Sequence, residues 1–238
     1  MLLENVDYSV RRSRRTKRLH LKIDRFATLE VVAPIDFPHQ EIHQFVNQNK
    51  QWIDKQKSKY QSRLKGTSST LLPPEQIHFS ALNKAYNVRY STDEARRSNG
   101  RHSIDELGIC IYSNSPKAKY FQLQMFVHHF AKQHLVNQLE KVSVETGLEY
   151  NRVYIRNQKT RWGSCSRQKN INLNRNILFL SQEQMNYLLI HELCHTRFMN
   201  HSSQFWQLVE KHCRNYQMID TSLRKAVNDV PIWAIKNP

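Results

Sequence analysis

Tyr187 to Arg197 reads YLLIHELCHTR, and the helical reading of this stretch sets the architecture around it. Leu188, Leu189 and Leu193, set among strong helix formers, predict a helix. A helix turns by about 100° per residue, so side chains four apart lie within about 40° of each other and roughly 6 Å apart along the axis. His191 and His195 therefore face one ion. Glu192, one residue round from His191, is poorly placed as a ligand but can reach a water beside the ion, the position of a general base. Cys194 falls about 60° off the two-histidine face, which suits a small buried hydrophobe better than a ligand.

A third ligand is expected downstream. His201 follows beyond a break at Asn200, and Ser202 is suited to cap a new helix carrying Phe205, Trp206, Leu208 and Val209. A loop of this length can fold His201 back toward the ion, with Glu210 and His212 on the new helix as alternatives. Three protein ligands leave a fourth tetrahedral position for water, which is the pattern of catalytic rather than structural zinc. The expected activity is therefore that of a zinc-dependent hydrolase.

Upstream of the metal helix, Arg152 to Arg156, Ile171 to Asn174 and Ile177 to Leu180 read as short strands around a Gly-containing turn. Ile171 to Asn174 is the expected edge along which an extended peptide would align. Arg161 to Ser166, RWGSCS, reads as a strand ending in that turn, with Trp162 in the core and Ser164 and Ser166 holding the turn. Cys165 is the thiol with cationic neighbours, Arg161 and Arg167, that a cysteine hydrolase would need. The metal motif, however, already accounts for the histidines such a nucleophile would use. Arg161 and Tyr216 have the chemistry to stabilise an oxyanion, but spacing alone does not place them at the metal.

Further out, helical periodicity runs from beyond Pro116 to Gly147. Period-2 alternation marks two or three antiparallel strands between Asp7 and Ala33, and more within Ile77 to Ser91 and Ser103 to Ser113. Pro38 to about Leu64 reads as one amphipathic helix, followed by a Gly66 to Pro74 linker; Glu94 to His102 reads as a polar, basic loop. The fold class expected is α+β, with a basic antiparallel β-rich region carrying one helix at 1–115 and the catalytic domain at 116–238.

Composition narrows the setting. The four cysteines are irregularly spaced with no CxxC pair, which suits reduced thiols. No apolar run approaches the roughly 20 residues of a membrane span, and the start, MLLENVDYSV, has no signal-like apolar region, so a cytoplasmic protein is expected. The net charge of +16 would draw the protein to polyanions. Arg11, Arg12, Arg14, Arg15, Lys17 and Arg18 concentrate that charge, with Lys55 to Lys65 and Arg96 to Arg101 adding to it. The alternative reading is a nucleic-acid-binding protein with a structural or vestigial metal site, or a protease brought to nucleic acid by its basic part.

RWGSCS at 161–166, INLN at 171–174, HELCH at 191–195 and NHSSQFW at 200–206 together resemble the YgjP-like metal-dependent hydrolases, zincin-fold proteins related to SprT-like peptidases. The specific motifs lie in the last third, while the basic strands and the Trp52-Ile53 helix look like the family's amino-terminal region. The resemblance implies zinc on His191, His195 and His201 with Glu192 as acid/base; it does not give the substrate, for which a protein or peptide is the expectation of the peptidase-type reading. Phe198-Met199 stands where the metzincins, with the same histidine interval, place Gly, which disfavours that group.

Overall fold

The computed structural model describes residues 7–23, 27–65, 73–92, 102–113 and 115–235. The expected Gly66 to Pro74 linker and Glu94 to His102 loop lie largely outside them. The chain divides into two compact units, Met1–Ser69 and Thr70–Pro238.

In the first unit, strands β1 (Ser9–Arg12), β2 (His20–Ile23) and β3 (Leu29–Ala33) form a sheet in the order β1-β3-β2. β2 pairs antiparallel with β3 as alternation suggests, but β1 pairs parallel with it. The connection from β1 to β2 carries the chain to the opposite edge of β3, and alternation reports which face a side chain takes, not the direction of its neighbour. The helix expected as one is two, α1 (His39–Gln48) and α2 (Lys50–Lys65). Asn49 breaks it, its side-chain amide donating to the Phe45 carbonyl at 2.8 Å in competition with the helical ladder. Leu29, Val31, Ala33, Ile42, Val46 and Ile53 form the core of this unit.

The second unit opens with β4 (Gln76–Phe79), β5 (Lys84–Ser91), β6 (His102–Asp105) and β7 (Gly108–Tyr112), in the order β4-β5-β7-β6. The long helix α3 (Pro116–Thr146) follows. The Ser115 hydroxyl caps its start, and Gly147, at φ 66°, ends it in the left-handed conformation that glycine adopts most cheaply. Ile77, Phe79, Ile109 and Ile111 share one core with α3 and with Leu189 and Leu193 of the metal helix. The boundary expected at 115/116 thus falls inside this unit.

β8 (Arg152–Arg156), β9 (Gly163–Cys165) and β10 (Asn170–Asn174) form the sheet nearest the candidate site, in the order β8-β10-β9. β10 is therefore the central strand, parallel to β8 and antiparallel to β9, and not the edge that the sequence suggested. Residues 177–180, expected as a strand, belong to a 3-10 turn at Arg175–Phe179 and its cap. Ile177, Leu178, Phe179 and Leu180 are all buried, and a continuous apolar run carries no period to separate strand from helix. Helices α4 (Gln182–Cys194), α5 (Ser203–His212), α6 (Tyr216–Ala226) and α7 (Ile232–Ile235) complete the unit. Among the described residues no helix is long and apolar enough to cross a membrane.

Candidate metal centre

Helix α4 carries the motif. A capping box starts it, Ser181 Oγ accepting from Gln184 N while Gln184 Oε1 accepts from Ser181 N, both at 3.1 Å. The helix ends at Cys194, and His195 is its C-terminal cap, still in right-handed geometry, so the one-turn spacing to His191 is kept. The chain then turns, and Ser202 caps α5 by accepting from Phe205 N. His201 is held in the intervening loop and folds back onto α4: its Nε2 stands 3.1 Å from His191 Nε2.

One nitrogen from each of His191, His195 and His201 lies within 4.8 Å of the others. Ligands about 2.05 Å from a tetrahedral ion would stand about 3.3 Å apart, close to the observed His191–His201 approach. The far nitrogens fit the same arrangement. His195 Nδ1 lies 2.9 Å from the Phe198 carbonyl, which can only accept, so the proton sits on Nδ1 and the Nε2 lone pair is free. Burial, then the neighbouring His195 and His201, pushes the His191 imidazole down to about 3, leaving it neutral and able to donate a lone pair. Burial lowers His195 as well, against the opposing Phe198 carbonyl. Three imidazoles converging in this way fit a borderline-soft divalent cation. Glu210 and His212, the alternatives for the third position, are not in this group; His212 lines a separate cavity.

Aromatic rings wall the triad. Phe205 stacks on His195 with centroids 4.4 Å apart, Trp206 stacks on His201 at 5.5 Å, and Tyr216 stacks on Trp206 at 5.2 Å. Helical spacing assigns Phe205 and Trp206 only to the apolar face of a helix; their position just after the cap is what brings them to the histidines. Tyr216, considered for an oxyanion, is packed in this stack.

Glu192 is 5 % exposed, and its Oε2 is buried with no hydrogen-bond partner among the described residues. Burial pushes its carboxyl up to about 8, with the charge of Arg161 opposing. Room for it comes from RWGSCS. β9 packs against α4, and a Cβ built on Gly163 would stand 2.7 Å from Glu192 Cγ and Cδ. Trp162 and Gly163 line a cleft of about 490 Å³ with Tyr187, Leu188, His191 and Glu192, and Asp220 and Leu223 of α6 line it too. Burial, with Glu192 adding to it, pushes the Cys165 thiol up to about 11, which disfavours the thiolate that a cysteine nucleophile needs. Cys194 is fully buried and pushed up to about 12 by burial.

Residues 17–226 match the model of the YgjP-like family, described as YgjP-like, metallopeptidase domain. The chain belongs to the YgjP-like family. Membership makes it a metal-dependent hydrolase of metallopeptidase type. Two crystal structures are similar to part of this YgjP-like chain. The metallopeptidase zymogen of Pyrococcus abyssi abylysin is 30% identical, covering 39% of this chain and 94% of its own at a TM-score of 0.36. That of Methanocaldococcus jannaschii jannalysin is 18% identical, covering 39% and 96% at 0.35. No curated protein matches the chain.

Proposed function

We propose that the protein is a zinc metallopeptidase in which His191, His195 and His201 hold the ion and Glu192 is the general base. The observation that carries this reading is the convergence of the three histidines beside the buried, unpartnered Glu192 oxygen. Zinc held there would supply Lewis acidity, polarising the scissile carbonyl and lowering the pKa of water. Glu192 takes the proton from the attacking water and returns it to the leaving amine. A carboxyl raised toward neutrality suits both transfers, and a cation nearby would favour its ionised form.

β9 takes over the role expected of β10 in aligning the substrate. Ser166 N donates to the Asn170 carbonyl and Asn174 N to the Trp162 carbonyl, and Ser164 lies opposite Asn172. By the alternation of an antiparallel ladder, the N–H and C=O groups of Gly163 and Cys165 then point away from β10. They are the groups an extended peptide would pair with, beside Glu192.

The decisive experiment measures metal content and hydrolysis of an unstructured protein together. Wild-type protein should hold about one zinc per chain; His191→Ala should lose it. Glu192→Gln should keep zinc and lose turnover. Zinc retained by His191→Ala, or wild-type turnover by Glu192→Gln, rules out the assignment.

A second reading, compatible with the first, is that the basic amino-terminal unit binds nucleic acid. It is favoured by Arg14, Arg15, Lys17 and Arg18, which all stand exposed in the connection from β1 to β2. Two other cations of that tract are engaged with their own unit: Arg11 pairs with Glu30 at 3.3 Å, and Arg12 donates to the carbonyls of Pro34, Ile35 and Phe37.

A further inference from the structure

Tyr187 lies one helical turn before His191 on α4 and is 1 % exposed. Its hydroxyl touches two groups: Asp220 Oδ1 at 2.9 Å and His191 Nδ1 at 3.3 Å. A phenol has one proton to give, and a carboxylate can only accept. The Tyr187 proton therefore goes to Asp220, and the oxygen lone pair is left facing His191 Nδ1. That nitrogen must carry the imidazole proton, so the lone pair of a neutral His191 is placed on Nε2, the atom that approaches His201. His195 reaches the same state through a backbone carbonyl; His191 reaches it through two side chains from two helices.

We propose that Asp220 and Tyr187 form a hydrogen-bonded relay that fixes His191 in its metal-binding tautomer, which makes Asp220 a positioning residue on a helix that supplies no ligand. The inference rests on the metal centre proposed above. Asp220 has little else to bind. Its contact with Arg224 is long, 4.0 Å to a guanidinium 80 % exposed, whereas α6 is pinned to α4 by a separate bond from Gln184 Nε2 to Ser222 Oγ at 2.9 Å. Removing the Asp220 acceptor frees the Tyr187 hydroxyl to donate to His191 Nδ1. That hydrogen bond favours the opposite tautomer, with the proton on the nitrogen the metal needs.

The test is a competitive zinc titration of the full chain against a chromophoric chelator, with thermal unfolding of the metal-free protein alongside. Asp220→Ala and Tyr187→Phe should each weaken zinc binding roughly ten- to a hundred-fold. Asp220→Asn keeps an acceptor for the phenol and should restore affinity to within a few-fold of wild type. Ser222→Ala removes one of the contacts between α6 and α4 and no atom of the relay, and should bind zinc to within a few-fold of wild type. Wild-type affinity in both Asp220→Ala and Tyr187→Phe, with His191→Ala abolishing binding, overturns the relay and leaves the metal centre standing. Asp220→Asn no better than Asp220→Ala also overturns it, since charge or packing would then be what matters. Wild-type protein with no zinc affinity removes the centre and the relay together. Should Tyr187→Phe melt far below the others, the two Asp220 variants decide.

Discussion

Gly163 shows how a single missing methyl group sets the position of a functional side chain. Its φ lies outside the left-handed region, so the backbone would accept alanine; the obstacle is Glu192, whose carboxyl packs where the Cβ would go. Gly163→Ala should push the Glu192 carboxylate from its place and lower kcat about 100-fold, the scale of a misplacement near 1 Å, while zinc content stays unchanged. The control is the double variant: Gly163→Ala should cost nothing further on a Glu192→Gln background, and an additive loss would place its effect elsewhere, such as on substrate pairing at β9. Cys165, two residues on, bears on the rival chemistry. With its thiol held at about 11 it has almost no thiolate at pH 7.5, and its alkylation by iodoacetamide should be on the order of 100-fold slower than that of an ordinary thiol. Its rate should climb through pH 9 to 11, as followed by mass spectrometry; rapid labelling at neutral pH would reopen the cysteine-nucleophile reading.

At the scale of elements, β9 is short and depends on its neighbours for its course. The Asn174 side chain, 4 % exposed at the end of β10, donates from Nδ2 to the carbonyls of Gln158 and Arg161 and accepts at Oδ1 from Asn176 N. It ties the segment entering β9 to the 3-10 turn leaving β10. Asn174→Ala would strip partners from three backbone groups and should lower the unfolding free energy by roughly 2–3 kcal/mol in chelator-treated protein, measured by urea titration. A cost below ~0.5 kcal/mol would mean that water replaces the amide without loss. The same elements show what the sequence could tell. The metal helix was legible from Leu188, Leu189 and Leu193 set among strong helix formers, and α3 from its periodicity between Pro116 and Gly147; the caps at Ser181 with Gln184 and at Ser115 agree with both. The centrality of β10 and the parallel β1–β3 pair were not, because alternation names faces and is silent on partners. Tyr187 had a local signal, being four residues before His191 on the same face. Asp220 had none, since its place at the relay is made by the docking of α6 on α4, a tertiary event. RWGSCS was readable as a turn but not as the cradle of Glu192, for the same reason.

Across the whole molecule, the densest run of cations and the candidate metal centre belong to different units. The candidate centre lies entirely within Thr70–Pro238, while the densest run of cations lies in Met1–Ser69. If the net charge of +16 served only solubility, neutralising part of it at any surface would have the same small effect. If the β1–β2 connection binds a phosphate backbone, its four exposed cations release counterions on binding, and affinity must depend on salt. Titrating a labelled duplex of about 20 base pairs should then show affinity falling steeply between roughly 50 and 200 mM salt. Replacing Arg14, Arg15, Lys17 and Arg18 by alanine should reduce the slope of log affinity against log salt by up to about 3.6, at about 0.9 for each phosphate no longer neutralised. Arg11→Ala and Arg12→Ala, whose side chains are engaged within the unit, should act through its stability instead. Zinc content and turnover of an unstructured protein should be untouched by the fourfold substitution, because none of these residues belongs to the unit that carries the histidines. A slope that is flat in the wild type, or unchanged in the fourfold variant, dismisses the connection as a nucleic-acid surface and leaves the hydrolase reading where it stands.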